Sequence, residues 1–150
     1  MKRAKRAAAR APAVFTSPKE LREILDAVLC AVDGDPDAAS RLRAAAAPLR
    51  FEFTDLKLSL NVFAGDDGGV RWDFARRCKR PPKLRLKMDS EFANRLLQGR
   101  ESPAIAIVRG RLETKADDAA AALRFFGAVK LLVSGYRTVI AERYPHLVLD

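Results

Sequence analysis

The sequence predicts an α+β fold, a largely antiparallel or mixed sheet of about five strands packed against helices. Three observations carry that prediction. Apolar residues recur at helical spacing over 21–32, the period drops to two between 49 and 88, and it returns to helical beyond 117. A chain of 150 residues is one domain's worth. A domain of that size removes roughly 70% of its unfolded surface from water, enough for an ordinary hydrophobic core.

The first element starts sharply. Ser17-Pro18-Lys19-Glu20 reads as a capping box, with Ser at the cap, Pro at the first helical position and Glu three residues on. Leu21, Ile24, Leu25, Val28, Leu29 and Val32 then share one helical face. Asp33-Gly34-Asp35-Pro36 ends this helix, and Pro36 opens a second, Ala-rich one to about Ala47, in which Leu42 is the only large apolar residue.

Alternation begins at residue 49. Leu49, Phe51 and Phe53 occupy odd positions, whereas Leu56, Leu58, Leu60 and Val62 occupy even ones. The phase change across Thr54-Asp55 demands a bulge or a tight turn, since otherwise the second set would face water. Gly65-Asp66-Asp67-Gly68-Gly69 is a turn leading into Val70-Trp72-Phe74. After a polar loop over 76–82, Leu84, Leu86 and Met88 alternate with Lys83, Arg85 and Lys87, as in a strand with one wet face. Asp89 or Ser90 caps a short helix bearing Phe92, Leu96 and Leu97, closed by Gly99. Ile105 to Thr114 reads as the last strand, and a central one, because Ala104 to Val108 is apolar on both faces. Helices are expected over 117–133 and 135–144, stopping at Pro145.

The formal charge is +9, from 28 basic and 19 acidic residues. It is concentrated in two stretches. Residues 1–19 hold Lys2, Arg3, Lys5, Arg6, Arg10 and Lys19 with no acid. Residues 71–87 hold Arg71, Arg76, Arg77, Lys79, Arg80, Lys83, Arg85 and Lys87 against Asp73; the remainder is net negative. Residues 1–16 read as a disordered basic arm, and 17–150 as a single domain. The longest uncharged runs, 11–18 and 58–65, fall far short of the ~20 residues of a membrane-spanning helix. No apolar segment follows the basic start, so a secretory signal is not expected. Cys30 and Cys78 match no motif spacing and read as reduced thiols of a cytoplasmic protein.

No catalytic signature emerges. The chain has no nucleophile elbow, P-loop, dinucleotide fingerprint or C-x-x-C. With His146 the only histidine, a His-based triad or metal site has almost nothing to work with. Neither a cofactor nor a metal is expected. Cys78 lies among Arg76, Arg77, Lys79 and Arg80, which would favour a thiolate, but a surface thiol in a basic loop suffices to explain it. Asp66-Asp67 is a turn, and Asp117-Asp118 suits a helix N-terminus. Segment 76–87 has three readings: a solvated strand face and loop, a docking site for an anionic membrane or acidic partner through Arg76, Arg77, Lys79, Arg80 and Lys83, or a nucleic-acid groove. The last is disfavoured, because no aromatic residue interleaves those cations to stack on bases.

Lys83 to Phe92, then Leu96-Leu97-Gln98-Gly99-Arg100, then Ile105 to Leu112 form a stretch that resembles the sterol carrier protein family, the type-2 non-specific lipid-transfer fold. In that family a strand ending in Met-x-Asp leads to an acidic-Phe helix with a Leu-x-x-Gly-Lys/Arg end. Arg109-Gly110-Arg111-Leu112 stands where a Gln-Gly-Lys-Leu pattern is usual. The similarity spans roughly 49–133 and looks closest to small bacterial stand-alone members, some of which are accessory factors of ubiquinone biosynthesis; the Asp55-Leu56-x-Leu58 segment resembles their early strands. Ala106, Ile107 and Val108 replace the aromatics often found before the glycine, and His146 to Asp150 is not the peroxisomal address of animal members.

The resemblance implies a non-catalytic domain that holds a lipid, whether sterol, acyl chain or isoprenoid quinone precursor, in a tunnel between sheet and helices. Its wall residues are expected among Phe51, Phe53, Leu58, Leu60, Trp72, Phe74, Leu84, Leu86, Phe92, Ile105 and Ile107, with Leu123, Phe126 and Val129 on the lid side and about half of the set plain core. The partners implied are a lipid ligand, transient contact with an anionic membrane and a biosynthetic enzyme. A small basic nucleic-acid-binding domain is the alternative reading.

Overall fold

The computed structural model describes residues 14–46, 48–78, 81–116 and 119–149. Most of the basic arm, the end of the second helix at Ala47, Lys79, Arg80 and Asp117-Asp118 lie outside them. Helix α1 spans Pro18–Asp33 and α2 Pro36–Ala46. Ser17 Oγ accepts from the Glu20 amide at 3.2 Å, while the Glu20 carboxylate reaches one residue past the cap to accept from the Thr16 amide at 3.0 Å. Phe15, assigned to the arm from sequence, is instead buried in the core at the foot of α1. All six apolar residues expected on the inner face of α1 are buried. Asp35 then accepts from the amides of Asp37 and Ala38, capping α2.

Strands β1 (Leu49–Phe53), β2 (Leu58–Ala64), β3 (Val70–Asp73), β4 (Leu84–Met88) and β5 (Glu113–Ala116) form one sheet in the order β3-β2-β1-β4-β5. The pairing is antiparallel except between β1 and β4 at the centre, which run parallel. The phase change is a tight turn over 54–57 that pairs Phe53 with Leu58, and Lys57 takes a left-handed φ of 52°. Leu56 therefore sits in the turn and not in the alternating set. Asp55 in this turn accepts from the Ser90 amide and hydroxyl at 2.8 and 2.6 Å, tying it to the start of α3 (Ser90–Leu97). Asp89 caps α3 through the Phe92 amide.

Two expectations fail between residues 103 and 143. Residues 103–108 are not a central strand but a short helix, α4 (Pro103–Val108), and the edge strand β5 begins only at Glu113. Ser102-Pro103 repeats the cap-plus-proline signal of Ser17-Pro18, with Ser102 Oγ accepting from the Ile105 amide. An apolar run without alternation cannot by itself distinguish buried strand from helix, and the local cap decided it. The two C-terminal helices are one, α5 (Ala119–Arg143), ending before the single 3₁₀ turn at 145–147. Gly135 does not break α5: a Cβ there would lie 3.3 Å from Val28 Cγ1, so the glycine lets α5 pass close over α1.

Helices α1, α2, α3 and α5 cover one face of the sheet, and the core lies between. Leu49, Phe51, Phe53, Leu60, Val62, Leu84, Leu86 and Met88 point into it from β1, β2 and β4. Among the described residues no helix is long and apolar enough to cross a membrane.

Candidate functional site

Deep between sheet and helices, side chains from β1, β2 and the end of β4 meet Leu25, Val28 and Leu29 of α1, Leu42 of α2, Leu96 and Leu97 of α3, and Leu132 and Tyr136 of α5 around a wholly apolar cavity. Its volume is about 20 Å³. That is room for little more than one water, against roughly 300–1,000 Å³ for a typical ligand pocket. The expected tunnel is thus, in this structure, a closed core whose walls are oily throughout.

The residues expected to line a tunnel divide into four groups. Phe51, Phe53 and Leu60 line the cavity, and Leu58 is half-buried beside them. Leu84, Leu86, Phe92 and Val129 are solid core. Trp72 and Phe74 face an open groove beside α1, where Trp72 Nε1 donates to Asp26 at 2.8 Å and the Arg22 guanidinium lies over the Phe74 ring. Ile107 and Phe126 pack half-buried against the core, but Ile105 and Leu123 are 53% and 68% exposed and do not point inward. Ile105 was misplaced because α4 was read as a strand. Leu123 lies on the outer side of a helix whose many alanines blur its face. Sequence reasoning also missed the α1 wall and Tyr136 as lining. Their helical spacing marks them as core, and nothing in spacing marks a cavity.

A polar clasp closes one end of this interior. Tyr136 is fully buried, and its hydroxyl donates to Asn94 Oδ1 at 2.6 Å. Burial, with a smaller effect from Glu20, pushes that hydroxyl far above the usual tyrosine range, so it remains a donor. Gln98 Nε2 donates to Asn94 Oδ1 and to the Leu147 carbonyl, Asn94 Nδ2 donates to the same carbonyl, and the Leu149 amide donates to Gln98 Oε1. Leu147 is thereby held in the core beneath α3 and α5.

The outer face of the sheet is polar and organised by Arg50, which is only 7% exposed. Its guanidinium donates to Glu52 at 2.9 Å, Asn61 at 2.7 Å, Ser59 at 2.9 Å and the carbonyl of Arg76 at 2.6 Å. Cys78 Sγ lies 3.0 Å from Asn61 Oδ1. The thiol is therefore half-buried within this network instead of lying free on a surface loop. Burial alone would raise the Glu52 pKa, but Arg50, helped by Lys87 and Arg85, holds it below the ordinary carboxylate range. The network pins the loop backbone over 75–78 while the side chains of Arg76 and Arg77, like that of Lys83, stay exposed.

Comparison with known proteins fits this geometry. The family model described as the SCP-2 sterol transfer family matches residues 27–130. A search of curated proteins by sequence gives no match. Among solved structures, the chain is similar to a conserved protein of Thermus thermophilus described as possibly a sterol carrier protein, with TM-score 0.55, 18% identity and coverage of 75% of this chain and 83% of that one. It is also similar to the UbiJ-SCP2 ubiquinone synthesis protein, with TM-score 0.50, 18% identity and coverage of 75% and 87%. An inverting sec-alkylsulfatase from Pseudomonas is matched at TM-score 0.48 and 16% identity over 64% of this chain; the chain spans only 16% of that enzyme's length.

Proposed function

The chain belongs to the SCP-2 sterol transfer family, and from that premise we propose that it binds and carries a lipid without altering it chemically, taking the apolar chain between the sheet and α5. The observation that carries the reading is the interior wall, which is apolar from all sides and presents no polar surface to a ligand. Such walls close on themselves. An empty cavity of ~300 Å³ would cost about 7 kcal/mol at ~24 cal/mol per Å³, comparable to the whole stability of a domain. A lipid that fills the space removes that penalty and contributes ~0.8 kcal/mol for each methylene it buries.

Similarity of fold to a ubiquinone synthesis protein supports an isoprenoid quinone precursor as cargo and a biosynthetic enzyme as recipient. The exposed Arg76, Arg77 and Lys83 support docking on an anionic bilayer; Lys79 and Arg80 stand between them in the sequence. Native mass spectrometry of the purified protein tests the proposal. Adducts of lipid mass, or uptake of fatty acyl or isoprenoid probes from vesicles, are the expected result. A chain that carries and accepts none of them overturns it.

A further inference from the structure

The inner surface of the sheet is apolar along its central strands, and one polar side chain at its margin breaks the pattern. Thr114 on β5 stands directly opposite Leu86 on β4, so both point toward the helices. Leu86 in turn pairs with Phe51 on β1, and Phe51 with Leu60 on β2. These four residues form one rung across the sheet, and Phe51 and Leu60 at its far end line the interior cavity. At ~4.8 Å per strand, Thr114 lies about 10 Å from Phe51, within the span of a short alkyl segment.

Thr114 Oγ1 is buried and has no hydrogen-bond partner, and it is the only buried side-chain nitrogen or oxygen of which this is true among the described residues. Buried hydroxyls are costly to leave unpaired, so one without a partner calls for an explanation. Its surroundings supply one. The residues facing the helices around it, Leu84, Leu86 and Ala116, carry no charge, and α5 packs over β5. β5 is the edge strand of the sheet, which leaves that side as the approach for a ligand head.

We propose that Thr114 is a head-group subsite, where the lipid's single uncharged oxygen (an alcohol or a carbonyl) pairs with the threonine hydroxyl while its chain follows the Leu86–Phe51–Leu60 rung into the cavity. The inference rests on the lipid-carrier reading and narrows it. The inward-facing neighbours Leu84, Leu86 and Ala116 offer no charge to pair with a carboxylate or phosphate, so a neutral head is selected over an anionic one.

The test uses the full chain, with 1-hexadecanol, hexadecane and palmitate offered from vesicles and bound probe counted by native mass spectrometry. The wild type takes up hexadecanol in preference to the other two. Thr114→Val, which keeps the shape and removes the hydroxyl, lowers hexadecanol affinity about 3- to 10-fold and leaves hexadecane unchanged. Thr114→Ser restores the preference for the alcohol. The valine variant without lipid melts at or above the wild-type temperature, because no native hydrogen bond is lost. Equal loss of both neutral probes, no loss of either, or a lowered melting temperature overturns the subsite and leaves the carrier reading standing. A wild type that takes up no probe overturns both.

Discussion

Replacing Arg50 with methionine tests the strongest polar network in the molecule. Methionine roughly fills the space of the arginine stem and removes a guanidinium that donates to Glu52, Asn61, Ser59 and the loop carbonyl of Arg76. Breaking a buried ion pair from one side costs ~3–5 kcal/mol. Glu52 retains Lys87 at 3.8 Å and is partly exposed, which places the expected loss at the low end, about 3 kcal/mol. For a chain of this length that lowers the melting temperature by roughly 6–12 °C. The same substitution frees the loop over 75–78. Cys78, held 3.0 Å from Asn61, then alkylates faster, and the exposed Cys30 provides an internal reference in the same chain. Urea unfolding and a timed iodoacetamide reaction read the two effects. A loss under ~1 kcal/mol together with an unchanged Cys78-to-Cys30 rate ratio would show that Arg50 does not hold this loop.

Three further outcomes are expected. Because the folded Glu52 pKa lies below its ordinary value of 4.5, its contribution to stability is present above that pH and lost as pH falls through the lower folded value; Glu52→Gln should flatten this acid limb in melts between pH 3 and 6. Gly135→Val forces a side chain into the contact with Val28 and should cost ~1–3 kcal/mol in urea unfolding, while the same change at Gly127, which faces open space, should cost less. Arg76→Ala with Arg77→Ala should weaken sedimentation with phosphatidylserine vesicles by about 1 kcal/mol per charge, with little effect on vesicles of neutral lipid.

Much of the fold was legible because its signals are local. Ser17-Pro18 announced α1, the shift from odd to even positions located the turn at 54–57, and charges alternating with Leu84, Leu86 and Met88 gave β4 its inner and outer faces. Legibility failed where one local pattern serves two structures. Ala104 to Val108 is apolar on every side, and only the Ser102-Pro103 cap reveals a helix. The candidate site was less legible than the fold. Phe51 and Leu84 look alike in sequence, yet one lines the cavity and the other is solid core, because the difference depends on which helix passes overhead. Trp72 and Phe74 keep the strand period but sit near the sheet edge, where α1 leaves a groove. Arg50 reads as an outward charge between two aromatics, and nothing nearby in sequence announces that a loop 25 residues later folds over it. The orphaned hydroxyl of Thr114 could not have been found without knowing its neighbours.

The clasp at Asn94 and Gln98 determines how α5 can move. Tyr136, in the second half of the helix, is bolted through Asn94 to α3 and to the chain's final turn, whereas Gly127 and Leu123 in the first half meet open space or solvent. The clasp therefore makes the second half of α5 the last part of that helix to open. Amide exchange should record the asymmetry, fast over 120–127 and slow over 132–140.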